Sequence, residues 1–304
     1  MTIPMNSEEF NELWDYVEER RPGIEAALRA NLPLAPAHVE TKFNDALEYA
    51  LFPGGKRFRP VLTLLGAELA GGNAEEMLPA AAAVEFIHTS SLIFDDLPCM
   101  DNASERRKKP SLHEEFGEGL AVLVGLGLLN ASYPLVFVNH AGSPEKAIQA
   151  HGEIVECIGA GGMVGGQSVD LALVNGDDIT FGGDLTDGES IRNLKTSALM
   201  RLALRTGAIL AGATYIELAA LSRFAELLGD AYQLSDDLID LEEDEEIFSE
   251  QQKTLAIEKG ENAARAKLQS TIDEAKRVLV DNFASSRART VLVQLTDYLA
   301  ERNA

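Results

Sequence analysis

Apolar residues along this chain recur at three- and four-residue spacings and almost never alternate, a period that predicts helices. Near the amino end, Asn6-Ser7-Glu8-Glu9 offers an N-cap ahead of Leu13, Val17, Ile24 and Leu28, with Pro22 as a helix boundary. Val39, Phe43, Ala46, Leu47 and Leu51 predict a second helix, which stops at Phe52-Pro53-Gly54-Gly55. Longer apolar helices are predicted from Pro60 to Gly71, Met77 to Ile93, Glu118 to Val138, Lys146 to Gly165, Ile191 to Gly212 and Tyr215 to Glu243. Breakers such as Gly71-Gly72, Gly182-Gly183 and Gly260 fall between helices, and no sustained strand pattern separates them, so the fold class is all-α. Without an internal repeat or a Ser- or Pro-rich linker, residues 1–304 read as a single domain. The uncharged run from Leu120 to Val138 has the length of a membrane span, but Gly125, Gly127, Asn130, Ser132 and Pro134 interrupt it. A buried helix followed by a break is expected there, and no transmembrane segment.

Two acidic clusters sit inside this apolar pattern. The first is Asp95-Asp96-Leu97-Pro98-Cys99-Met100-Asp101; the second runs from Gln233 through Asp236-Asp237 to Asp240. Helical spacing places Asp236 and Asp240 one turn apart on a single face, where like charges destabilise an isolated helix by roughly a few tenths of a kcal/mol. A cation relieves that repulsion. Hard oxygen donors with no Cys or His nearby suit Mg²⁺, which keeps several waters and shares its coordination shell with substrate phosphates. Either cluster alone reads equally as solvated surface charge; two clusters set among Leu, Ile, Phe and Tyr are the stronger signal.

Composition narrows the partners. The chain carries 26 basic and 49 acidic residues, a net charge of −23, which argues against nucleic acid or an anionic membrane surface. A polyanionic ligand therefore requires local cations. Cys99 and Cys157 cannot make a disulfide framework and the amino end lacks a cleavable signal pattern, so a cytoplasmic location is expected.

Those local cations exist. Gly54-Gly55-Lys56-Arg57-Phe58-Arg59-Pro60 places three cations on a glycine-opened turn before a helix, where free backbone N–H groups also favour an anion. The spacing is not that of a nucleotide-binding Walker loop. Arg106-Arg107-Lys108-Lys109 follows the first acidic cluster, Lys195-Thr196 interrupts an apolar helix, and Gly165-Gly166-Gln167 with Asp170 breaks a helical pattern. Facing carboxylate clusters holding divalent ions against a diphosphate, basic residues for the remaining charge and an apolar interior for a hydrocarbon describe ionisation chemistry. Such chemistry requires no Ser, Cys or His nucleophile, only charge stabilisation and the exclusion of water.

In their order and spacing, these stretches together with His88 and Tyr232-Gln233 resemble the trans-isoprenyl diphosphate synthases, or polyprenyl synthetases, over nearly the whole chain. The resemblance implies one large helical bundle around a central cavity, commonly homodimeric. It also implies three Mg²⁺ ions bridging the two aspartate motifs to an allylic diphosphate, with isopentenyl diphosphate as second substrate. By the same resemblance Asp95 and Asp101, with Asp96 in support, bind metal from the first motif, and Asp236 and Asp240 from the second. Arg106, Lys195 and Thr196 would hold the allylic diphosphate, and Lys56, Arg59, His88 and Arg107 the isopentenyl diphosphate. Gln167, Thr196 and Gln233 would lie near the developing allylic cation.

The gap between Asp96 and Asp101, containing Leu97-Pro98, resembles the short-chain subgroup of farnesyl and geranylgeranyl synthases. Product length in that family follows bulk on the helix before the first motif; the small Ser90 and Ser91 there imply geranylgeranyl diphosphate, with farnesyl diphosphate the alternative if Phe86 or Phe94 closes the cavity. The sequence departs from the family at Asn102-Ala103-Ser104, at Leu126 and at Glu242-Glu243-Asp244-Glu245-Glu246, which stands in place of a Gly-Lys-Asp loop. Lys253-Thr254 and Lys259 are the nearest substitutes for that lysine. The loop's loss is also the feature on which a non-catalytic partner of another synthase would rest.

Overall fold

The computed structural model of the protein describes residues 10–52, 54–140, 142–174, 188–239 and 260–301, with the side chains of 173–174 and 188–196 outside that description. Its elements are helices α1 (Asn11–Ala30), α2 (Phe43–Leu51), α3 (Phe58–Leu69), a 3₁₀ turn (Ala74–Met77), α4 (Leu78–Asp95), strands β1 (Glu105–Arg106) and β2 (Lys109–Pro110), α5 (Leu112–Phe116) and α6 (Glu118–Leu135). They continue with α7 (Pro144–Ile158), α8 (Met163–Val174), α9 (Gly188–Ala211), α10 (Tyr215–Ile239), α11 (Glu261–Asn282) and α12 (Arg287–Glu301). The all-α expectation holds, apart from one antiparallel hairpin that pairs Glu105 with Pro110 and Arg106 with Lys109.

The chain forms two compact units. An amino-terminal unit comprises Val17–Val155 and Thr206–Gly212; a carboxy-terminal unit comprises Met1–Tyr16, Glu156–Arg205 and Ala213–Ala304.

In the amino-terminal unit α4 is the central element, packed against both α3 and α6. Pro79 in its first turn is preset for a helix start, and Ala80–Ala83 are strong helix formers. All four alanines are buried, as are Val84, Phe86 and Ile87, so little of the helix before its last turns meets solvent. Each fully buried large side chain of this core, Leu64, Leu65 and Phe86 among them, contributes about 1.5–3 kcal/mol by leaving water. In the carboxy-terminal unit α10 packs against α11 and α12.

Three sequence expectations are corrected. Pro22 lies inside α1 and does not end it; Leu13, Tyr16 and Val17 before it and Ile24 and Leu28 after it are all buried, and that packing outweighs a cost of about 3 kcal/mol for an interior proline. Gly165-Gly166-Gln167 does not break a helix but lies within α8, the break falling earlier, at residues 159–162. The run from Leu120 is only half-buried: Ala121, Val124, Leu128 and Leu135 face the core, whereas Val122, Leu123 and Leu126 are exposed. By length and composition α4 (with its preceding turn) and α6 could each cross a membrane, but the first is largely buried in the protein core. Cys99 is an exposed and Cys157 a buried free cysteine.

Candidate active site

Asp95 is the last residue of α4, and the chain after it curls back on itself. The Asp101 N–H donates to the Asp95 carbonyl at 2.9 Å, and the Asn102 N–H to the Leu97 carbonyl at 3.1 Å, with Asn102 in the left-handed region at φ 51°. Pro98 cannot continue a helix, so the turn is forced where the acids stand. Asp95 is half-buried and Asp101 exposed; Asp96 is buried and paired in a fork with Arg106, whose Nε donates to its two oxygens at 3.1 and 3.2 Å. A terminal nitrogen of Arg106 also donates to Asp96 Oδ1. The hydrogen bond to Asp96 raises the Arg106 pKa, the charges of Asp96, Asp95 and Asp101 add to it, and burial opposes it. All three carboxylates crowd the C-terminal end of a helix, where the backbone itself is partially negative. A cation belongs there.

The donor set fits Mg²⁺. Asp95 and Asp101 supply hard oxygens on a turn that draws their backbones together, while Asp96 is occupied by Arg106. Among the described residues no three His, Cys, Asp or Glu side chains gather closely enough to hold an ion alone. Two carboxylates completed by water and substrate phosphate suit Mg²⁺ better than a closed cage.

Beside this turn lies a basic cluster in the same unit. Arg59 Nη1 is 3.2 Å from His88 Nε2, and since a guanidinium only donates, Nε2 accepts. Burial holds His88 neutral, well below the ordinary histidine pKa, and the positive charges of Arg59, Arg107, Arg106 and Arg57 push the same way. The hairpin turn, with Arg107 at φ 55° and Lys108 at φ 63°, brings the Arg107 guanidinium against Gly55. Burial and the neighbouring arginines lower the Arg107 pKa, while Glu85 partly offsets them. Asp96, Arg106 and Arg107 also border a cavity of about 90 Å³, shared with Tyr49, Thr89 and Leu112. So many cations around one neutral imidazole, in a chain of net charge −23, describe a receptor for a compact polyanion.

Arg57, the middle cation of the glycine-opened stretch, turns its side chain inward to Glu25 and Glu85. The missed signal was Glu85, the one carboxylate in α4 before Asp95.

The remaining predicted residues belong to the carboxy-terminal unit. Gln167 and Asp170 lie on α8, and Gln233, Asp236 and Asp237 on the last turns of α10, where Gln233 Nε2 donates to Asp237 Oδ1 at 3.4 Å. Lys195 and Thr196 are on α9, their side chains outside the described residues. Asp240, the acidic run 242–246, Lys253-Thr254 and Lys259 also lie outside the described residues.

Ser90 and Ser91 are buried, and each hydroxyl bonds back to its own helix, to the carbonyls of Ile87 and His88 at 2.8 Å. Neither offers bulk. One turn on, the Phe94 ring abuts Gly125 of α6, where any Cβ would stand 2.8 Å from the ring.

The polyprenyl synthetase family model matches residues 40–290. The chain is 37% identical over 297 residues to a chloroplastic geranylgeranyl pyrophosphate synthase of Capsicum annuum, covering 95% of this chain and 78% of that protein. It is 35% identical to a geranylgeranyl diphosphate synthase of Cyanophora paradoxa, covering 96% and 97% of the two chains. A crystal structure of an FPP/GFPP synthase from Zymomonas mobilis superposes with a TM-score of 0.83 at 30% identity, over 95% of this chain and 98% of that one. Cation cluster, aspartate turn and relatives agree: the chain belongs to the polyprenyl synthetase family, as a trans-prenyltransferase of the short-chain type.

Proposed function

We propose that the protein condenses isopentenyl diphosphate with an allylic diphosphate and that its product is geranylgeranyl diphosphate. The observation that carries the reading is the joining, in one unit, of Lys56, Arg59, His88 and Arg107 with the Asp95–Asp101 turn. In this reading residues 1–304 act as one functional domain, and the family match running through both units supports that.

Lys56, Arg59 and Arg107 bind the diphosphate of isopentenyl diphosphate, and His88 orients Arg59 by accepting its N–H. Asp95 and Asp101, with Asp236 and Asp240 from the second motif, would hold the three Mg²⁺ ions, whose Lewis acidity would offset the charge of the departing diphosphate. Arg106, Lys195 and Thr196 retain the allylic diphosphate; Asp96 fixes the plane of the Arg106 guanidinium, so its outer N–H groups are preorganised. Oxygens of Gln167, Thr196 and Gln233 stabilise the allylic cation, and released diphosphate takes the proton lost after the new carbon–carbon bond forms. The small Ser90 and Ser91 support the longer product, and the geranylgeranyl synthases among the relatives point the same way. The exposed Val122, Leu123 and Leu126 of α6 support a homodimer. A cytoplasmic location stays part of the proposal.

Purified protein is incubated with labelled isopentenyl diphosphate and each allylic primer, with Mg²⁺ or with chelator, and the products are sized. Magnesium-dependent release of diphosphate with geranylgeranyl diphosphate is the expected result; farnesyl diphosphate alone would shorten the product. No condensation with any primer would replace the enzyme by a non-catalytic partner of another synthase.

A further inference from the structure

Arg57 stands in the middle of the basic turn yet reaches no ligand. Only 3% of it is exposed, and its guanidinium spends its donors inside the protein: Nε to Glu25 Oε1 at 2.7 Å, Nη2 to Glu25 Oε2 at 3.3 Å and to the Leu51 carbonyl at 2.7 Å, Nη1 to Glu85 Oε1 at 2.6 Å. One side chain thus ties α1, the end of α2 and α4 to the turn that precedes α3. Its backbone is left-handed, φ 57° and ψ 32°, a conformation that a bulky residue keeps only where its surroundings over-determine it.

The turn closes over this guanidinium. A Cβ at Gly54 would stand 2.0–2.3 Å from its carbon and terminal nitrogens, so the backbone there lies directly on the ion pair and only glycine fits. The register then matters. Glu85 and His88 are three apart on α4 and share a face, while Arg57 caps α3 and Arg59 lies in its first turn. Arg57 engages Glu85 and Arg59 engages His88, so the start of α3 is anchored to successive turns of one helix. Lys56 lies between the covered Gly54-Gly55 and the anchored Arg57. Glu85 also tempers the positive field on Arg107, leaving that cation compatible with its neighbours before any anion arrives.

We infer that the Glu25–Arg57–Glu85 ion triad is a positioning device for the isopentenyl diphosphate subsite: it fixes the turn that carries Lys56 and the start of α3 that carries Arg59, and so sets affinity for that substrate without touching it. This rests on the functional reading above. The triad lies behind the subsite, and its loss displaces Lys56 and Arg59 while the aspartate turn at the end of α4 keeps its own hydrogen bonds.

Three variants test it. Glu85→Gln keeps shape and one acceptor oxygen but removes the charge; Arg57→Lys keeps the charge but cannot span Glu25, Glu85 and Leu51 at once; Gly54→Ala leaves the triad's residues in place and drives a methyl into the guanidinium. Each is expected to raise the KM for isopentenyl diphosphate about tenfold, the scale of loss from a small misplacement of binding groups, with the allylic KM and kcat close to wild type and the circular-dichroism spectrum native, although the melt falls because a buried ion pair is disturbed. Arg57→Lys is expected not to rescue, because the fork and not the charge is required. A variant losing only active fraction would lower kcat and leave both KM values alone; that outcome, equal changes in both KM values, or no change in any variant overturns the inference. Calorimetric titration with inorganic diphosphate provides a readout independent of turnover. If the wild type condenses nothing, the functional reading fails, and the inference stands or falls on whether the variants bind diphosphate about tenfold more weakly.

Discussion

The proton is disfavoured on His88 in the folded protein, where the half-buried ring lies beside four arginines and Arg59 donates to its Nε2. An imidazole whose folded pKa is pushed below its unfolded value of 6.5 binds protons more readily in the unfolded chain, so it favours the fold above that pH. Its contribution is lost as pH falls through 6.5 toward the lower folded value. The thermal midpoint is therefore expected to drop between about pH 7 and about pH 5, and to drop less steeply in His88→Gln. His140, lowered mainly by burial, contributes in the same direction in both proteins, so the difference between the two slopes isolates His88. Parallel slopes by circular dichroism would show that His88 titrates normally. At this scale the sequence showed which residue types meet, through the motif around Lys56 and the acids after Phe94. It did not show that Arg57 turns inward or that Asp96 is taken by Arg106, since both depend on which charged group lies nearest once α4 is packed.

Helix α4 carries in order Glu85, which pairs with Arg57, His88, which accepts from Arg59, and Ser90, Ser91 and Asp95, proposed as the small floor and a metal ligand. A helix turns every 3.6 residues, so Glu85, His88, Ser91 and Asp95, three or four apart, follow one face of a rigid rod while Ser90 stands off it. Ser91 is buried with its hydroxyl turned back onto the His88 carbonyl, and a ring there would project beyond the helix surface. Ser91→Phe is expected to shift the product from geranylgeranyl to farnesyl diphosphate with condensation retained, read by sizing labelled products. An unchanged product would place the floor elsewhere, with Phe94 against Gly125 the next candidate. The existence of α2, α3 and α10 was legible because their apolar period is strong, and that of α4 and α9 because each is a long stretch bounded by glycine or proline. The errors fell where a local breaker met a buried face. Pro22 and Gly165-Gly166 are poor helix residues by propensity, yet each lies inside a helix, and tertiary packing overrides propensity there.

At the scale of the whole molecule, a chain of net charge −23 concentrates Arg57, Arg59, Arg106 and Arg107 around His88, against the repulsion that its acidic surface would otherwise exert on a diphosphate. Its other anomaly is the apolar surface of α6, where Val122, Leu123 and Leu126 are 41%, 55% and 54% exposed. Such a patch costs solubility unless covered. Leu123→Asp is expected to convert a dimeric protein to monomers in sedimentation equilibrium, with its circular-dichroism spectrum unchanged; a wild type already monomeric would refute the homodimer. The sequence by itself determined the fold class, the family and the residue types of the site, because helical period, charge and motif spacing are properties of the chain read locally. Only the tertiary structure decided which charged groups serve a ligand and which serve the protein. Glu25, Arg57 and Glu85 are far apart in sequence and meet only because α1, α4 and the turn before α3 are packed together, and burial makes pairing obligatory where solvent would have left each free.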